Sequence, residues 1–500
     1  MSHKLREVLT ELADQMPAAS TADLWRAGRR LRRQERLRKL GGAVVAVVAV
    51  ASCLPVWFVA GGGMPVQPAE GGDAVPHRVR VPWMWQATVQ QDPRGPATLL
   101  ISGDGGLRGS DFFDYEGKVA VVGRDGSYRM LLYGGAETVA GEEVLLSPDG
   151  RYVAQEHLAD AREGWLLVTD LTNGRTRRYA GPNGHRCCGS PVAWSPDGSA
   201  LLALDWRNEP AGYDRSRNTY LQPARLVLLD LPSGEARPLL DEVGDRWQLR
   251  TASLAAFSPD GSRIAVTVGT QVRLLDRYGQ SLWTVDLGPR RHLAGIGAFS
   301  PDGRRITTVT LEGCLDVCNA SALGARKWRF DYLDAETGAD TEGPALQPVT
   351  AMAVRALGWR LGTDLVVLTY RPERDTRKRP GWDWNDTDYW EVGDATLVAL
   401  RPGGGREVLL DSPGEVLAMD VARDLLEAGR FGGPARDPEP LPARPVILVV
   451  LAPLSVLLIA VLGGPLLGWY LYRRGRRHPL VRHPQPAVPP PAPGGGLPPG

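Results

Sequence analysis

Four times along the chain, two short apolar runs are separated by the same phrase, Ser-Pro-Asp-Gly. Val144-Leu145-Leu146 and Tyr152-Val153-Ala154 enclose Ser147, Pro148, Asp149 and Gly150; Val192-Ala193-Trp194 and Leu201-Leu202-Ala203-Leu204 enclose Ser195, Pro196, Asp197 and Gly198. Ala255-Ala256-Phe257 and Ile264-Ala265-Val266 enclose Ser258, Pro259, Asp260 and Gly261. Gly297-Ala298-Phe299 and Ile306-Thr307-Thr308-Val309 enclose Ser300, Pro301, Asp302 and Gly303. Such runs are short for helices and suit buried strands, so each unit predicts strand, turn, strand. The phrase fits the turn: Pro presets φ, Ser and Asp bond nearby backbone N–H groups, and Gly tolerates positive φ.

The copies begin 48, 63 and 42 residues apart, a spacing too long for one hairpin and suited to a four-stranded sheet with variable loops. That is the period of a propeller blade. After each of the first three hairpins comes another apolar run ending in Asp and a Gly turn: Trp165 to Asp170 before Gly174, Leu226 to Asp230 before Gly234, Val272 to Asp276 before Gly279. These supply the third and fourth strands. Degenerate units flank them at Val119 to Gly126, and at Trp359 to Tyr370 with Thr396 to Leu400. Val416 to Ala428 reads as a last strand pair that closes the ring onto strands near 97 to 133 and leaves no exposed edge. The fold class expected is an all-β propeller of six blades, with seven as the alternative, flanked by two transmembrane α-helices.

The repeated phrase and its apolar flanks resemble the PD40 class of WD40-like repeats found in TolB-type propellers. The resemblance covers roughly residues 97 to 430 and carries fold more than function, because the phrase is a turn. It implies a module that binds other proteins. The chain lacks the Gly-His and Trp-Asp pairs of true WD40 repeats.

Composition agrees with a turn-rich β protein: 59 Gly and 41 Pro in 500 residues, with 23% charged. Net charge is +1 but unevenly spread. Residues 1–40 hold ten basic and five acidic side chains, 473–500 hold five Arg and no acid, and the part between holds 43 basic against 52 acidic. An acidic middle argues against a nucleic-acid partner.

The chain divides into a basic helical segment (1–40), a span (41–60), a Gly/Pro linker (61–80), the propeller (81–430), a Pro-rich linker (431–445), a second span (446–472) and an Arg/Pro-rich disordered tail (473–500). Residues 41–60 are uncharged and about the ~20 residues that cross a bilayer. A cleaved signal peptide is the competing reading, against which stands the long flank before the apolar run. The second span ends in Trp469, Tyr470 and Tyr472, followed by Arg473-Arg474-Gly475-Arg476-Arg477. Both Arg-rich ends lie on the far side of their spans from the propeller, so both termini are expected in the cytoplasm and the propeller outside. Segment 1–40 reads as a lipid-facing flank or as a docking helix for a cytoplasmic regulator.

In an up-and-down blade, turns joining strands one to two and three to four share one face of the disc. The two-to-three loops and the links between blades share the other. The longest insertions, 205–224, 310–327 and 371–394, all fall in the second class, which marks that face as the expected working face. The richest insertion contains Trp382, Asp383, Trp384, Asn385, Asp386, Thr387, Asp388, Tyr389, Trp390 and Glu391. Aromatic rings among carboxylates suit stacking on sugars or a protein hot spot; the plainer reading packs them over a neighbouring blade. The calcium pattern begun by Asp383 and Asn385 lacks its Gly and its bidentate Glu. Cys187, Cys188, Cys314 and Cys318 are disulfide candidates, with Cys314–Cys318 favoured because the two pairs lie two blades apart. His185 beside Cys187 falls short of a four-ligand zinc set.

No nucleophile elbow, zinc-protease motif, phosphate loop or dinucleotide fingerprint is present. No cofactor or metal is expected. The function expected is non-catalytic binding of a protein or envelope polymer. Alternatives are a sensor relaying that binding to a partner of residues 1–40, and a carboxylate-based glycosidase or lyase.

Overall fold

The computed structural model describes residues 73–82, 86–103, 118–131, 139–156, 165–184, 189–206, 213–214, 219–220, 224–243, 255–315, 318–372, 392–410, 412, 416–438 and 468–473. Two compact units are distinguished, 67–444 and the two chain ends together. Six main sheets, all in the first unit, form a six-bladed propeller.

Blade 1 is a composite. Its innermost strand is Val416–Val421, paired antiparallel to Ala97–Gly103, then Lys118–Gly123 and Tyr128–Met130. Blade 2 follows as Val144–Leu146, Tyr152–Glu156, Leu166–Asp170 and Arg175–Tyr179. Blade 3 is Gly189–Trp194, Ala200–Trp206, Ala224–Asp230 and Ala236–Val243; blade 4 is Ala255–Phe257, Arg263–Val268, Gln271–Asp276 and Ser281–Asp286. Blade 5 is Arg291–Leu293, Arg305–Glu312, Lys327–Asp334 and Asp340–Thr341, with Val349–Thr350 also on its third strand. Blade 6 is Ala353–Arg360, Asp364–Pro372, Val392–Arg401 and Gly405–Leu410.

Inner and middle strands are apolar on both faces because each blade is sandwiched between two others. Ala353–Arg360 is buried at every position. Outer strands read differently: Ser281–Asp286 is exposed or half-buried throughout. Blades are also tied by polar bonds. The Tyr179 hydroxyl and an Arg177 N–H of blade 2 donate to the Leu231 carbonyl of blade 3, and the Trp283 indole of blade 4 donates to the Ala335 carbonyl of blade 5.

Three expectations need correction. The segment Val416 to Ala428 is not a strand pair: after Val416–Val421 it turns into a helical turn, α2 (Arg423–Glu427), whose Leu425 and Leu426 are buried. The inner strand of blade 5 is not the run Gly297-Ala298-Phe299. Only Phe299 bridges there, to Ile306, while Arg291–Leu293 forms the ladder. A Cβ on Gly295 would lie 2.2 Å from the Ala356 carbonyl oxygen and one on Gly297 2.2 Å from the Gly358 nitrogen, so this stretch is given to close contact with blade 6. Finally, the linkers flanking the ring are shorter than read. Val75–Pro76 pairs in parallel with Phe431–Gly433, and Val75 and Val79 are buried in the cluster that contains blade 1.

The span 41–60 and residues 446–467 lie outside the described residues; 468–472 are helical. Among the described residues no helix is long and apolar enough to cross a membrane.

Candidate recognition face

The two faces of the disc differ in chemistry. On the turn face, the four Ser-Pro-Asp-Gly copies have one geometry. Each Ser hydroxyl donates to its Asp Oδ1 (Ser147–Asp149 and Ser195–Asp197 at 2.6 Å, Ser258–Asp260 and Ser300–Asp302 at 2.5 Å). The same oxygen accepts the N–H five residues on, from Tyr152, Ala200, Arg263 and Arg305. Asp Oδ1 accepts a second bond, from the N–H of Arg151, Ser199, Ser262 and Arg304. Gly150, Gly198, Gly261 and Gly303 all have positive φ, and each donates its N–H to the Ser carbonyl. The Pro of one copy packs near the Gly of the next: Pro148 by Gly198, Pro196 by Gly261, Pro259 by Gly303. The sixteen repeat residues, read from the sequence as turns, form a run of linked turns along blades 2 to 5.

Three of these carboxylates, Asp197, Asp260 and Asp302, are held in the ionised form. The Ser258 hydroxyl, then that of Ser262, brings Asp260 down to about 2. Ser195 and Ser300 lower Asp197 and Asp302 in the same way. The turns between third and fourth strands repeat the device, with Asp170 accepting the N–H of Thr172 and Asp334 those of Glu336 and Thr337.

The loop face is built otherwise. In blade 5 the loop between Glu312 and Lys327 carries a disulfide, Cys314–Cys318, and a helical turn, α1 (Ala320–Gly324). Asn319 caps that turn by accepting the N–H of Ala322 at 2.8 Å, and Leu323 anchors it. Beneath lies Arg326, 1% exposed, donating to the carbonyls of Cys314 (2.8 Å), Leu315 (3.0 Å) and Met352 (3.2 Å). Beside it His292 meets Trp328 edge to face, and burial lowers this imidazole to about 4, so it is neutral at pH 7.

Towards the centre, Arg355 on the inner strand of blade 6 donates to the carbonyls of Gly141 and Met419, joining three blades. Asp420 accepts the N–H groups of Leu146 and Val421; burial raises it, and Arg355 is the opposing charge. The Tyr370 hydroxyl donates to Glu142 at 3.2 Å, and Ser190 to Glu156 at 2.6 Å.

Trp382, Asp383, Trp384, Asp386, Asp388, Tyr389 and Trp390 lie outside the described residues, as do His185, Cys187 and Cys188. The site residues overlooked in the sequence are Arg326 and Arg355. A signal existed for the second: an Arg inside the otherwise apolar run Ala353-Val354-Arg355-Ala356. Arg326 sits in a loop where an Arg draws no notice. Among the described residues no group of three or more His, Cys, Asp or Glu is placed to hold a metal ion.

No family model matches the chain, and no curated protein matches it. Solved structures with a similar course include an oligogalacturonate lyase from Vibrio parahaemolyticus, 14% identical over 69% of this chain and 80% of that one, with a TM-score of 0.36. An oligogalacturonate lyase in complex with manganese is 16% identical over 68% and 79%, with a TM-score of 0.37. TolB from Acinetobacter baumannii is 16% identical over 66% and 67%, with a TM-score of 0.36. At these scores the likeness carries no argument about activity or partners, and the propeller rests on this chain's own strand pairing.

Proposed function

We propose that the chain is a membrane-anchored, extracytoplasmic propeller that binds a protein or an envelope polymer through its loop face, without catalysing a reaction. The observation that carries this reading is the division of labour between the faces. On the turn face, the Ser hydroxyls and Asp carboxylates of the four repeated turns are bonded to one another and to their own backbone, so these groups serve the fold. The loop face carries the insertions of uneven length, and its described loop is braced from beneath by Arg326.

A carboxylic acid that donates a proton near neutral pH needs a raised pKa and access to substrate. Asp197, Asp260 and Asp302 of the turn face are shifted the other way, and Asp420, which is raised, is buried against two backbone amides. The Arg-rich ends of segments 41–60 and 446–472 support placing the propeller outside and both termini within.

The test is replacement of residues 379–391 by a Gly/Ser segment of equal length in the full chain on cells, followed by chemical crosslinking from the propeller. The reading expects the captured species to be lost while the ring stays folded. Capture that persists unchanged removes that loop from the recognising surface. Protease added to intact cells is expected to cut the propeller and spare both termini; the reverse pattern overturns the topology.

A further inference from the structure

The disulfide of blade 5 has two unequal ends. Cys318 is 5% exposed, whereas Cys314 is only partly buried. Of the two, Cys314 is the end that solvent reaches. The buried sulfur has a partner: Nη2 of Arg326 lies 3.5 Å from Cys318 Sγ, while the same guanidinium is fixed by the carbonyls of Cys314, Leu315 and Met352. A disulfide sulfur is a weak acceptor, so this contact does little for the oxidised protein. If the S–S bond opens, the sulfur left there is a thiolate, beside a cation held in place by three carbonyls. A neighbouring Arg favours the thiolate form, and a better leaving thiolate departs faster.

We propose that Cys314–Cys318 is a thiol-exchange site rather than an inert staple, its accepting end being Cys314 and its leaving group Cys318. An incoming thiolate, from a low-molecular-weight thiol or a protein dithiol, attacks Cys314 Sγ. A new S–S bond forms to Cys314, the Cys314–Cys318 bond breaks, and its electron pair goes to Cys318 Sγ, where Arg326 holds the charge. The step runs backwards when Cys318 thiolate attacks Cys314 and expels the incoming thiol. A second thiol instead attacks the sulfur of the bound one, leaves as the mixed pair's disulfide and yields the dithiol protein. Among the described charged groups at the loop, Arg290 donates to the Gly313 carbonyl at 2.9 Å, and Glu312 lies 3.9 Å from Arg329. The site sits on the face assigned above to recognition but does not depend on that assignment, since exchange is read without any partner.

Two measurements on the full chain test it. Thiolate absorbance is recorded against pH for C314S and for C314S/C318S; the difference isolates Cys318, because the other cysteines are common to both. Half-ionisation is expected at least one pH unit below the ~8.5 of an ordinary thiol, which makes the thiolate fraction at pH 7 at least about eightfold larger. A midpoint at or above ~8.5 overturns the proposal. The wild-type chain is also incubated with glutathione, quenched by alkylation and mapped by mass spectrometry. The adduct is expected on Cys314; an adduct on Cys318, or equal labelling, overturns it. R326M is expected to raise the Cys318 midpoint and slow adduct formation about tenfold, and should that variant fail to fold, the two measurements above decide alone.

Discussion

Ser258 has no solvent exposure and uses its hydroxyl twice, donating to Asp260 and accepting the N–H of Arg263. S258A removes both bonds and leaves a buried amide without its acceptor, so a loss of about 1–3 kcal/mol is expected in denaturant unfolding. The glycines of these turns share a positive φ but not a neighbourhood. A Cβ on Gly150 would lie 2.1 Å from the Ala97 carbonyl oxygen, whereas on Gly198 its nearest neighbour is Pro148 Cδ at 3.8 Å. G198A should therefore cost about the 1–2 kcal/mol of a left-handed residue, and G150A clearly more, because backbone must move. Equal losses in melting experiments would contradict this. Two groups give separate windows of pH dependence with the same sign, each losing stability as pH falls. Asp260 is depressed to about 2 from 3.8, so its contribution is complete above about 4 and is lost as pH falls through 2. His292 is depressed to about 4 from 6.5 by burial, so the unfolded chain binds the extra proton between those values and stability declines as pH drops from 6.5 to 4. H292F is expected to have a shallower slope in that window, whatever its absolute stability. None of the burial behind these values is legible along the chain. The Ser and Asp of the turn announce their bonds because they act over two to five residues. His292 and Arg326 take their character from side chains that arrive from other strands.

Among whole elements, strands with a local partner were the readable ones. The hairpins around the first three Ser-Pro-Asp-Gly copies, and the turns from Asp170, Asp230 and Asp276 to the Gly that follows each, fall where the apolar runs and turn residues put them, since strand and partner are a few residues apart. The inner strand of blade 5 departs from that pattern, and there Gly295 and Gly297 are given to close contact with blade 6, a demand that the hairpin pattern does not contain. Outer strands also carry information of their own. Arg175–Tyr179 presents Arg175, Arg177 and Arg178, and Gly405–Leu410 presents Arg406 and Glu407, charges that discourage pairing with another chain. Ser281–Asp286 carries no basic residue and no Pro, and Leu282 on it is 49% exposed. L282K is expected to reduce aggregation on heating while changing unfolding stability by no more than about 0.5 kcal/mol. A large stability change would mean that Leu282 is packed in a way its exposure does not reveal.

At the scale of the molecule, the ring depends on its last inner strand. Val416–Val421 supplies the core of a blade whose other three strands come from the opposite end of the domain, and Asp420 ties it to blade 2 through the Leu146 amide. Ending the chain after residue 415 is expected to leave a protease-sensitive protein with no cooperative unfolding transition. A second clasp lies outside the ring, where His77 N donates to the Gly433 carbonyl at 3.1 Å and Arg80 pairs with Asp437 at 3.2 Å. The amino-acid order alone determined that small antiparallel sheets repeat around a ring and where most of their turns fall, while six blades rather than seven came from the strand pairing. The repeat and its turns follow from local turn chemistry and the alternation of apolar runs. Only the tertiary structure decided how the closing strand is completed, that valines of a supposed linker are buried, and that Arg326 and Arg355 lie in the interior. Each of these depends on groups brought together from distant parts of the chain, as far as the 356 residues between His77 and Gly433, and a local pattern holds no record of what will meet it there.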